Sequence, residues 1–512
     1  MVRVDVAAEV SGRPRAGVSA WARWDLAAAG AALAAFAVLC VMALSFAPRL
    51  IEPDDYAYRA SIVAMTQGDY LSLSTAQMEA LAAQLPGPLG GRAVVAPGGV
   101  PGGVPGGAGG IPQWVQLANG RWISEKDPGY PFLAAPFQAL GIIRLAPLFY
   151  GALACLGLYA GGRRWLGRWG GAAAAGLFCS SGAAMLFAWR DYMPTFTDAS
   201  LIAAGSGALL WAVLAAEVSR ARRTWAGLAG FVALEAATFA RYTDIVVLGC
   251  AVAAAAVAWR IRAVRLPTAA LAWWLGSVAV FGAGVAVFDD LVYGGPLKSG
   301  YQPGEITFSL SAVSPNLRSM PAHLIEAMPM LVLGLAGLVW IVARWARSRR
   351  AGGEDAARAR RDLAAGLALA ACWVGVWGLY AAYTWTAHGG STLQVVRFYV
   401  PALGAIALLG AWFLVRLGAL LAARARWSPL ALTSAALVIV MFALGAWSFA
   451  AMRDSPLGVG KAVHLQPGVP LPAGSVTGVK QAVSLGLGQA GHYQVVGVGD
   501  QVEQFLVGDR AV

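Results

Sequence analysis

The segment DLAAAGAALAAFAVLCVMALSFA (residues 25–47) is followed almost at once by IEPDDYAYRASIVAMTQG (residues 51–68). The first segment is long and apolar enough to cross the hydrocarbon core of a bilayer, which takes about 20 residues in a helix. The second places Glu52, Asp54 and Asp55 where that helix leaves the membrane. Carboxylates at such a boundary can act as bases, metal ligands or acceptors for a polar substrate. These acids form the candidate catalytic centre, unless they are only solvated residues at a helix end.

The composition of the whole chain is that of a membrane protein. Of the 512 residues, 58% are hydrophobic and 12% are charged, whereas soluble proteins contain roughly 25% charged residues. The mean hydropathy is +0.62. The 20 Trp and 63 Gly suit interfacial aromatic belts and close helix packing. We therefore expect an all-α polytopic membrane protein.

The apolar runs predict about eleven transmembrane helices, with the N-terminus inside and the C-terminus outside. They lie near residues 25–47, 132–161, 170–188, 195–217, 226–240, 244–259, 267–288, 326–345, 363–385, 398–417 and 428–449. The chain then divides into a cytoplasmic N-terminus (1–24), a transmembrane domain (25–449) and an extracytoplasmic tail (450–512). Because no small-residue cleavage motif follows the first run, we expect that run to be retained.

The net charge of +12 reflects this topology. Basic clusters alternate with the apolar runs, at residues 13–23, 163–168, 220–223, 260–265, 344–361 and 416–426. This is the positive-inside pattern, so the basic balance indicates orientation and not a nucleic-acid site. The five cysteines all lie in apolar segments without metal-ligand spacing, and neither a disulfide nor a zinc site is expected: Cys40, Cys155, Cys179, Cys250 and Cys372.

The longest predicted outer loop covers residues 48–131. Alternating apolar and polar residues over 56–66 predict an interfacial helix, and Ser74-Thr75 ahead of Glu79 predict the capped start of a second one. Asn119-Gly120 predicts a β-hairpin, whereas the Pro-Gly-Gly repeats in 86–112 predict a mobile low-complexity segment.

Three further segments are expected on the same side, at residues 289–325, 386–397 and 450–512. The last of these, the tail, is rich in Val and Gly with turn residues at intervals. It predicts either a small β-rich cap or partial disorder.

Ionisable residues cluster at the predicted outer helix ends. They are Glu52, Asp54, Asp55, Glu125, Lys126, Asp127, Arg190, Arg241, Lys298 and Arg397, with Asp289 and Asp290 as a secondary pair. An ionisable group at an apolar boundary is costly unless it is paired or functional. The cluster predicts a polar site over one end of the helix bundle.

A sugar transfer from a lipid phosphate needs this set of groups. A carboxylate takes the proton of the acceptor hydroxyl, while Arg or Lys stabilises the departing phosphate. We assign the base to Asp54 or Asp55, with the other orienting it or the acceptor, and the spacing does not decide between them. We assign Lys126, Arg241 and Arg397 to the phosphate.

Arg241 is the best placed of these cations, because a very short outer turn joins its two flanking apolar runs. Asp244 in the same turn can also simply be its salt-bridge partner. The remaining candidate substrate-binding residues are Glu52, Tyr58, Glu125, Asp127, Lys298 and His388. His388 is also readily explained as a polar loop residue.

Cofactor motifs give no further guidance. The loops contain enough carboxylates for one divalent metal, although no spacing requires it. The sequence contains no Walker loop, no dinucleotide-binding glycine motif after a strand and no His-Glu-x-x-His motif. ATP-driven, nicotinamide and zincin mechanisms therefore lack support.

Four stretches together resemble the GT-C membrane glycosyltransferases, in particular the branch of protein O-mannosyltransferases and the lipid A aminoarabinose transferase. They are EPDDYAYRA (52–60), NGR to KDPGYP (119–131) with LAAP (133–136), ATFARYT (237–243) and VRFYVPAL (396–403). The resemblance covers residues 20 to about 420. The Pro-Gly-Gly insertion, Asp127 and the C-terminal tail depart from the pattern.

The resemblance implies an inverting transfer from a polyprenyl-phosphate sugar on the extracytoplasmic face, with a first-loop Asp as base. The acceptor is then a glycan, lipid or protein, and the Ala, Gly and Arg bias suits the inner membrane of a high-GC bacterium. A transporter or flippase of lipid-linked sugars is the alternative, which predicts charges deep inside several helices and internal repeats. A non-catalytic scaffold leaves the clustered acids unexplained.

Overall fold

The computed structural model describes residues 18–45, 53–68, 72–84, 113–116, 120–260, 268–301, 306–349, 353–388, 395–424, 443–450, 463–465, 491–498 and 501–506. Its helices are α1 (Val18–Ser45), α2 (Pro53–Thr66), α3 (Thr75–Gln84), α4 (Gly129–Ala139), α5 (Leu145–Leu166), α6 (Arg168–Cys179), α7 (Gly182–Phe187), α8 (Pro194–Leu214), α9 (Arg220–Ala240), α10 (Ile245–Arg260), α11 (Thr268–Tyr293), α12 (Leu310–Ala327), α13 (Leu331–Ser348), α14 (Gly353–Ala381) and α15 (Leu403–Arg424). Residues 443–450 are also helical, and short 3-10 helices cover Tyr242–Asp244, Trp385–His388 and Val400–Ala402.

Within the described residues, 8 helical stretches are long and apolar enough to cross a membrane. They are Asp25–Ser45, Leu145–Leu166, Pro194–Leu214, Tyr242–Arg260, Thr268–Tyr293, Leu331–Ser348, Gly353–Ala381 and Val400–Leu421. The predicted fold class, an all-α polytopic membrane protein, is confirmed. The count of about eleven helices stays a prediction, because most of the last predicted run (428–449) lies outside the described residues.

Two of the predicted spans are each divided into two helices. The run 132–161 forms α4 and α5, separated at Gly141, whose φ of +71° lies in the left-handed region that favours glycine. The run 170–188 likewise divides between α6 and α7 at Ser180 and Ser181. Mean hydropathy does not report such breaks, because the connecting residues are mainly apolar or small, with Arg144 as the one charged residue.

The two ends of the helix bundle carry different residues. At one end, interhelical ion pairs join Arg163 to Asp25 at 3.1 Å and Arg164 to Glu217. Asp362 of α14 there accepts from Arg344 of α13 at 2.6 Å. The opposite end gathers α2, the start of α4 and the ends of α9, α11 and α14. These arginine ion pairs therefore lie at the end of the bundle away from α2.

Glycines bring the backbones of α5 and α8 into direct contact. A Cβ at Gly157 would lie 2.6 Å from the carbonyl oxygen of Ala204, and one at Gly207 would lie 2.1 Å from that of Gly157. Small residues allow this approach, which strengthens van der Waals packing between membrane helices.

The predicted hairpin is confirmed. Strand β1 (Trp114–Gln116) pairs antiparallel with β2 (Trp122–Ser124), and Gly120 in the turn has a φ of +78°. In the tail, β3 (Val463–Leu465), β4 (Gly491–Val498) and β5 (Gln501–Leu506) form an antiparallel sheet in the order β3-β4-β5.

The predicted capped start of α3 has a different partner. The backbone N–H of Ser74 donates to Gln77 Oε1 at 2.8 Å, and the N–H of Gln77 donates to Ser74 Oγ at 3.3 Å. This reciprocal pair is a capping box closed by the residue three positions after the cap. Glu79, the residue that the sequence suggested, is exposed.

Helix α2 begins three residues before the predicted position 56, at Pro53, and most of its side chains are buried. One of its faces packs with Leu73, Met78 and Trp114, and another packs with Tyr130 and Ala134 of α4. The helix is therefore enclosed by α3, the hairpin and α4, which fixes the direction of its side chains.

The contact between Gly129 and α9 gives a testable prediction. A Cβ on Gly129 would lie 2.2 Å from the carbonyl carbon of Phe239 and 2.4 Å from the nitrogen of Ala240. Both obstacles are backbone atoms, so Gly129→Ala is expected to displace α4 and to lower the free energy of unfolding by about 1–3 kcal/mol or more. Thermal unfolding in detergent measures the change.

Gly276→Ala in α11 is the matched control, because a Cβ there meets no atom within 4 Å. It is expected to leave the melting temperature unchanged or slightly raised, since Ala favours helix over Gly. Equal melting of Gly129→Ala and wild type would contradict the α4–α9 contact.

Candidate functional site

Helix α2 presents two adjacent carboxylates to different cations. Asp54 Oδ1 lies 3.0 Å from Lys126 Nζ, and Asp54 Oδ2 lies 3.0 Å from Arg397 Nη1. Asp55 Oδ2 instead lies 2.5 Å from Arg190 Nη2, and both side chains of this pair are only 1% exposed. Consecutive helical residues point about 100° apart. The adjacent acids therefore belong to two separate polar centres.

The Asp54 centre is rich in positive charge and bordered by aromatic rings. Lys126 Nζ lies 5.2 Å from the ring centre of Tyr301, and the guanidinium of Arg397 lies 4.7 Å from that of Phe398. Burial alone would raise the pKa of Asp54, but the charges of Lys126 and Arg397 outweigh it and hold that pKa well below its usual range. Asp54 is therefore ionised in the described state.

Arg241 lies beside this centre. Its Nη1 donates to the backbone oxygen of Arg397 at 3.3 Å, and its guanidinium lies 5.7 Å from the same Phe398 ring. Its ion pair is with Asp198 of α8, at 3.4 Å, and not with Asp244 as the turn sequence suggested. Two cations from distant parts of the sequence thus contact Asp54, and a third, Arg241, contacts the backbone of one of them.

Asp127 has a different environment from that of Asp54. It is buried, and its Oδ2 accepts a hydrogen bond from the backbone N–H of Tyr242 at 3.2 Å. Burial raises the pKa of Asp127 to about 7, although that hydrogen bond and the charge of Lys126 oppose the rise. A carboxyl with such a pKa can exchange a proton near neutral pH. Tyr58, also buried, packs its ring edge against Tyr130, with ring centres 5.7 Å apart.

The Asp55 centre is formed by residues at the α7–α8 junction. Tyr130 donates its hydroxyl hydrogen to the backbone oxygen of Asp191, and Arg144 Nε lies 3.9 Å from Asp191 Oδ2. Burial raises the pKa of Asp191 to about 7 despite the nearby charge of Arg144. Arg144 also donates to the backbone oxygen of Leu44 at 3.1 Å, so this centre holds the end of α1.

The other predicted site residues have varied placements. Glu125 is half-buried, Lys298 is exposed and forms no ion pair within the described part of the chain, and Asp289 accepts from the hydroxyl of Tyr242 at 2.9 Å. Glu52 and the side chain of His388 lie outside the described residues. Among the residues that the structure describes, no three His, Cys, Asp or Glu side chains are grouped to hold a metal ion.

A small cleft opens next to Lys126. Its walls come from α2, the hairpin, the start of α4 and the end of α11, and its polar groups include Ser61, Ser124 and Tyr293. The remaining lining is largely apolar, with Phe288 and Pro131 among it.

The raised pKa of Asp127 predicts a pH effect on stability. An unfolded Asp ionises near pH 4, whereas the folded carboxyl ionises near pH 7, so the folded state holds the additional proton between these values. The free energy of unfolding is therefore expected to fall as the pH rises from about 4 to about 7 and then to level. Denaturation of Asp127→Asn across this range should show a flatter profile than wild type.

Asp290→Asn, a change at an exposed acid of α11, is the control and should keep the wild-type profile. A profile for Asp127→Asn as steep as that of wild type would mean that Asp127 titrates normally in the folded protein.

Comparison with known proteins gives matches among solved structures, whereas no protein-family model and no curated protein matches the chain. The chain is similar to the apo oligosaccharyltransferase of Archaeoglobus fulgidus, with 12% identity and a TM-score of 0.45, over 82% of this chain and 56% of that one. It is also similar to ArnT from Cupriavidus metallidurans bound to undecaprenyl phosphate, with 14% identity and a TM-score of 0.45, over 85% of this chain and 76% of that one.

Proposed function

We propose that this membrane protein is a glycosyltransferase that moves a sugar from a polyprenyl-phosphate donor to an acceptor hydroxyl. The observation that carries the proposal is the position of Asp54 between Lys126 and Arg397, at 3.0 Å from each, with Arg241 alongside. An ionised carboxylate that contacts two cations, with a third cation next to them, combines a proton acceptor with an anion-binding surface.

In the proposed reaction, the donor phosphate binds Lys126, Arg397 and Arg241. Because phosphate competes for the two cations that lower the pKa of Asp54, donor binding makes this carboxylate more basic. Asp54 then takes the proton of the acceptor hydroxyl as its oxygen attacks the anomeric carbon. The bond from that carbon to the phosphate oxygen breaks, and polyprenyl phosphate leaves with the electron pair, stabilised by the same cations. Attack opposite the leaving group inverts the anomeric configuration.

The location of the site supports a lipid-linked donor. The site lies at the end of the bundle opposite the interhelical arginine pairs of Arg163 and Arg344, and on the positive-inside rule we propose that this end is extracytoplasmic. A polyprenyl chain stays in the bilayer while its phosphate reaches the helix ends. We propose the inner membrane of a bacterium as the location, and a glycan, lipid or protein as the acceptor.

Proteoliposomes containing the purified protein test this function against transport. They are given polyprenyl-phosphate donors labelled in the sugar, with candidate acceptors, with and without a chelator. A transferase releases one polyprenyl phosphate for each labelled sugar that becomes acceptor-bound. Movement of intact labelled donor between leaflets without such release would instead support the flippase alternative, and loss of transfer with chelator would add a divalent metal.

A further inference from the structure

Two neighbouring buried carboxyl groups, those of Asp198 and Asp244, lie next to Arg241. Asp198 is in the first turns of α8, and Asp244 ends the 3-10 helix Tyr242–Asp244. Their side chains are within hydrogen-bonding reach of each other. Asp198 is 0% exposed and Asp244 is 1% exposed. The oxygens of both carboxyls accept no hydrogen bond from an N–H or O–H among the described residues.

The charges around this pair are unbalanced. Arg241 is the cation that contacts it, with Nη1 at 3.4 Å from Asp198 Oδ2. Among the described residues, the other titratable groups that interact with the pair or with Arg241 supply no positive charge; they are Asp127, Tyr58, Tyr301, Tyr380 and Tyr383. The buried hydroxyls of Thr195, Thr197 and Ser200 on α8 are also neutral. Two full negative charges would therefore share one positive charge in a buried site.

Carboxyl groups in contact cannot both be ionised in such a setting, because the repulsion of like charges is strong where the effective dielectric is low. Carboxyl pairs in enzymes solve this by holding one proton between them. The shared proton also supplies the donor that the contact between two acceptor groups lacks.

We infer that Asp198 and Asp244 share one proton and act together as a monoanionic positioning pair for Arg241. The inference rests on the proposed function, in which Arg241 binds the donor phosphate. A negative charge spread over two carboxyls fixes the direction of the guanidinium and balances its charge. Because Arg241 donates to the backbone oxygen of Arg397, the pair also aligns the cation that contacts Asp54.

The inference predicts a non-additive pattern among asparagine variants. Asp198→Asn or Asp244→Asn alone removes the proton together with one acid, and the remaining carboxylate keeps one negative charge on Arg241. Each single variant is therefore expected to keep the donor KM within about threefold of wild type. The double variant removes the negative charge and is expected to raise the donor KM by about tenfold or more, with a smaller change in kcat. Loss of a group that orients a binding residue typically has an effect of this size.

Infrared spectroscopy gives a readout that does not depend on transfer. At about pH 9, where Asp127 and Asp191 are ionised, wild type is expected to show a protonated-carboxyl band that shifts in D2O. This band should be absent from each single variant, because the remaining acid ionises against Arg241. The double variant is first checked for folding by size-exclusion chromatography. If it does not fold, the infrared spectra of the single variants decide whether the proton is shared.

Absence of the band in wild type, or single variants as damaging to donor KM as the double variant, would overturn the inference. If wild type transfers sugar from no donor, the proposed function fails, whereas the infrared band still decides whether the proton is shared.

Discussion

Asp54→Asn is expected to abolish sugar transfer without weakening donor binding. Asparagine has nearly the same shape but cannot take a proton from the acceptor hydroxyl, and loss of a general base typically slows a reaction by about 10²–10⁴-fold. The substitution also removes the negative charge that holds Lys126 and Arg397 at 3.0 Å. Both cations then remain for the phosphate, so donor affinity should be unchanged or higher.

Single-turnover transfer of labelled sugar measures the rate, and equilibrium binding of the donor measures affinity separately. Glu79→Gln, at an exposed acid of α3, is the matched control and should behave as wild type. Normal turnover by Asp54→Asn would place the base elsewhere, with Asp127 as the next residue to test because its pKa is about 7.

Asp55→Asn and Arg190→Met are expected to reduce stability more than catalysis. Both side chains of this pair are 1% exposed, and removal of one member of a buried ion pair typically costs about 3–5 kcal/mol. The cost arises because the other charge stays buried without its partner. The melting temperature in detergent should fall in each single variant, while the transfer rate per folded molecule should fall far less than in Asp54→Asn.

The double variant Asp55→Asn with Arg190→Met is the diagnostic control. It removes both charges at once, so its loss of stability should be smaller than the sum of the two single losses. Additive losses would mean that the two side chains do not interact as described, and an inactive but stable Asp55→Asn would assign the base to Asp55.

Much of this architecture was predictable because its causes are local in sequence. Apolar runs of bilayer length predict helices, and the alternation of basic clusters predicts which ends lie together. These patterns place Asp54, Lys126, Arg241 and Arg397 at one end of the bundle, and the structure also brings them together there. It did not separate Asp54 from Asp55, because their partners depend on how α2 is oriented by packing against α4 and the hairpin.

The polar residues between α7 and α8 were mostly missed for a related reason. Arg190 was singled out only as a cation, and Asp191 was not considered, since a stretch between two apolar runs resembles an ordinary loop. Asp198 was missed although a signal was present, because an acid within a predicted membrane span (195–217) is costly unless it has a partner. Asp198 and Asp244 are far apart in the sequence, so their contact leaves no local sequence pattern.

The enclosure of α2 has a consequence for how this region tolerates changes in length. Tyr58 and Ile62 anchor the helix against Tyr130 and Ala134, so they fix its rotational phase. One residue inserted between Asp55 and Tyr58 would turn both acids by about 100° and shift them by about 1.5 Å relative to these anchors. The number of residues between the acids and these anchors thus fixes the direction in which the acids point. A single-residue insertion or deletion there should be more harmful than substitution of Thr66, the exposed residue at the end of the helix.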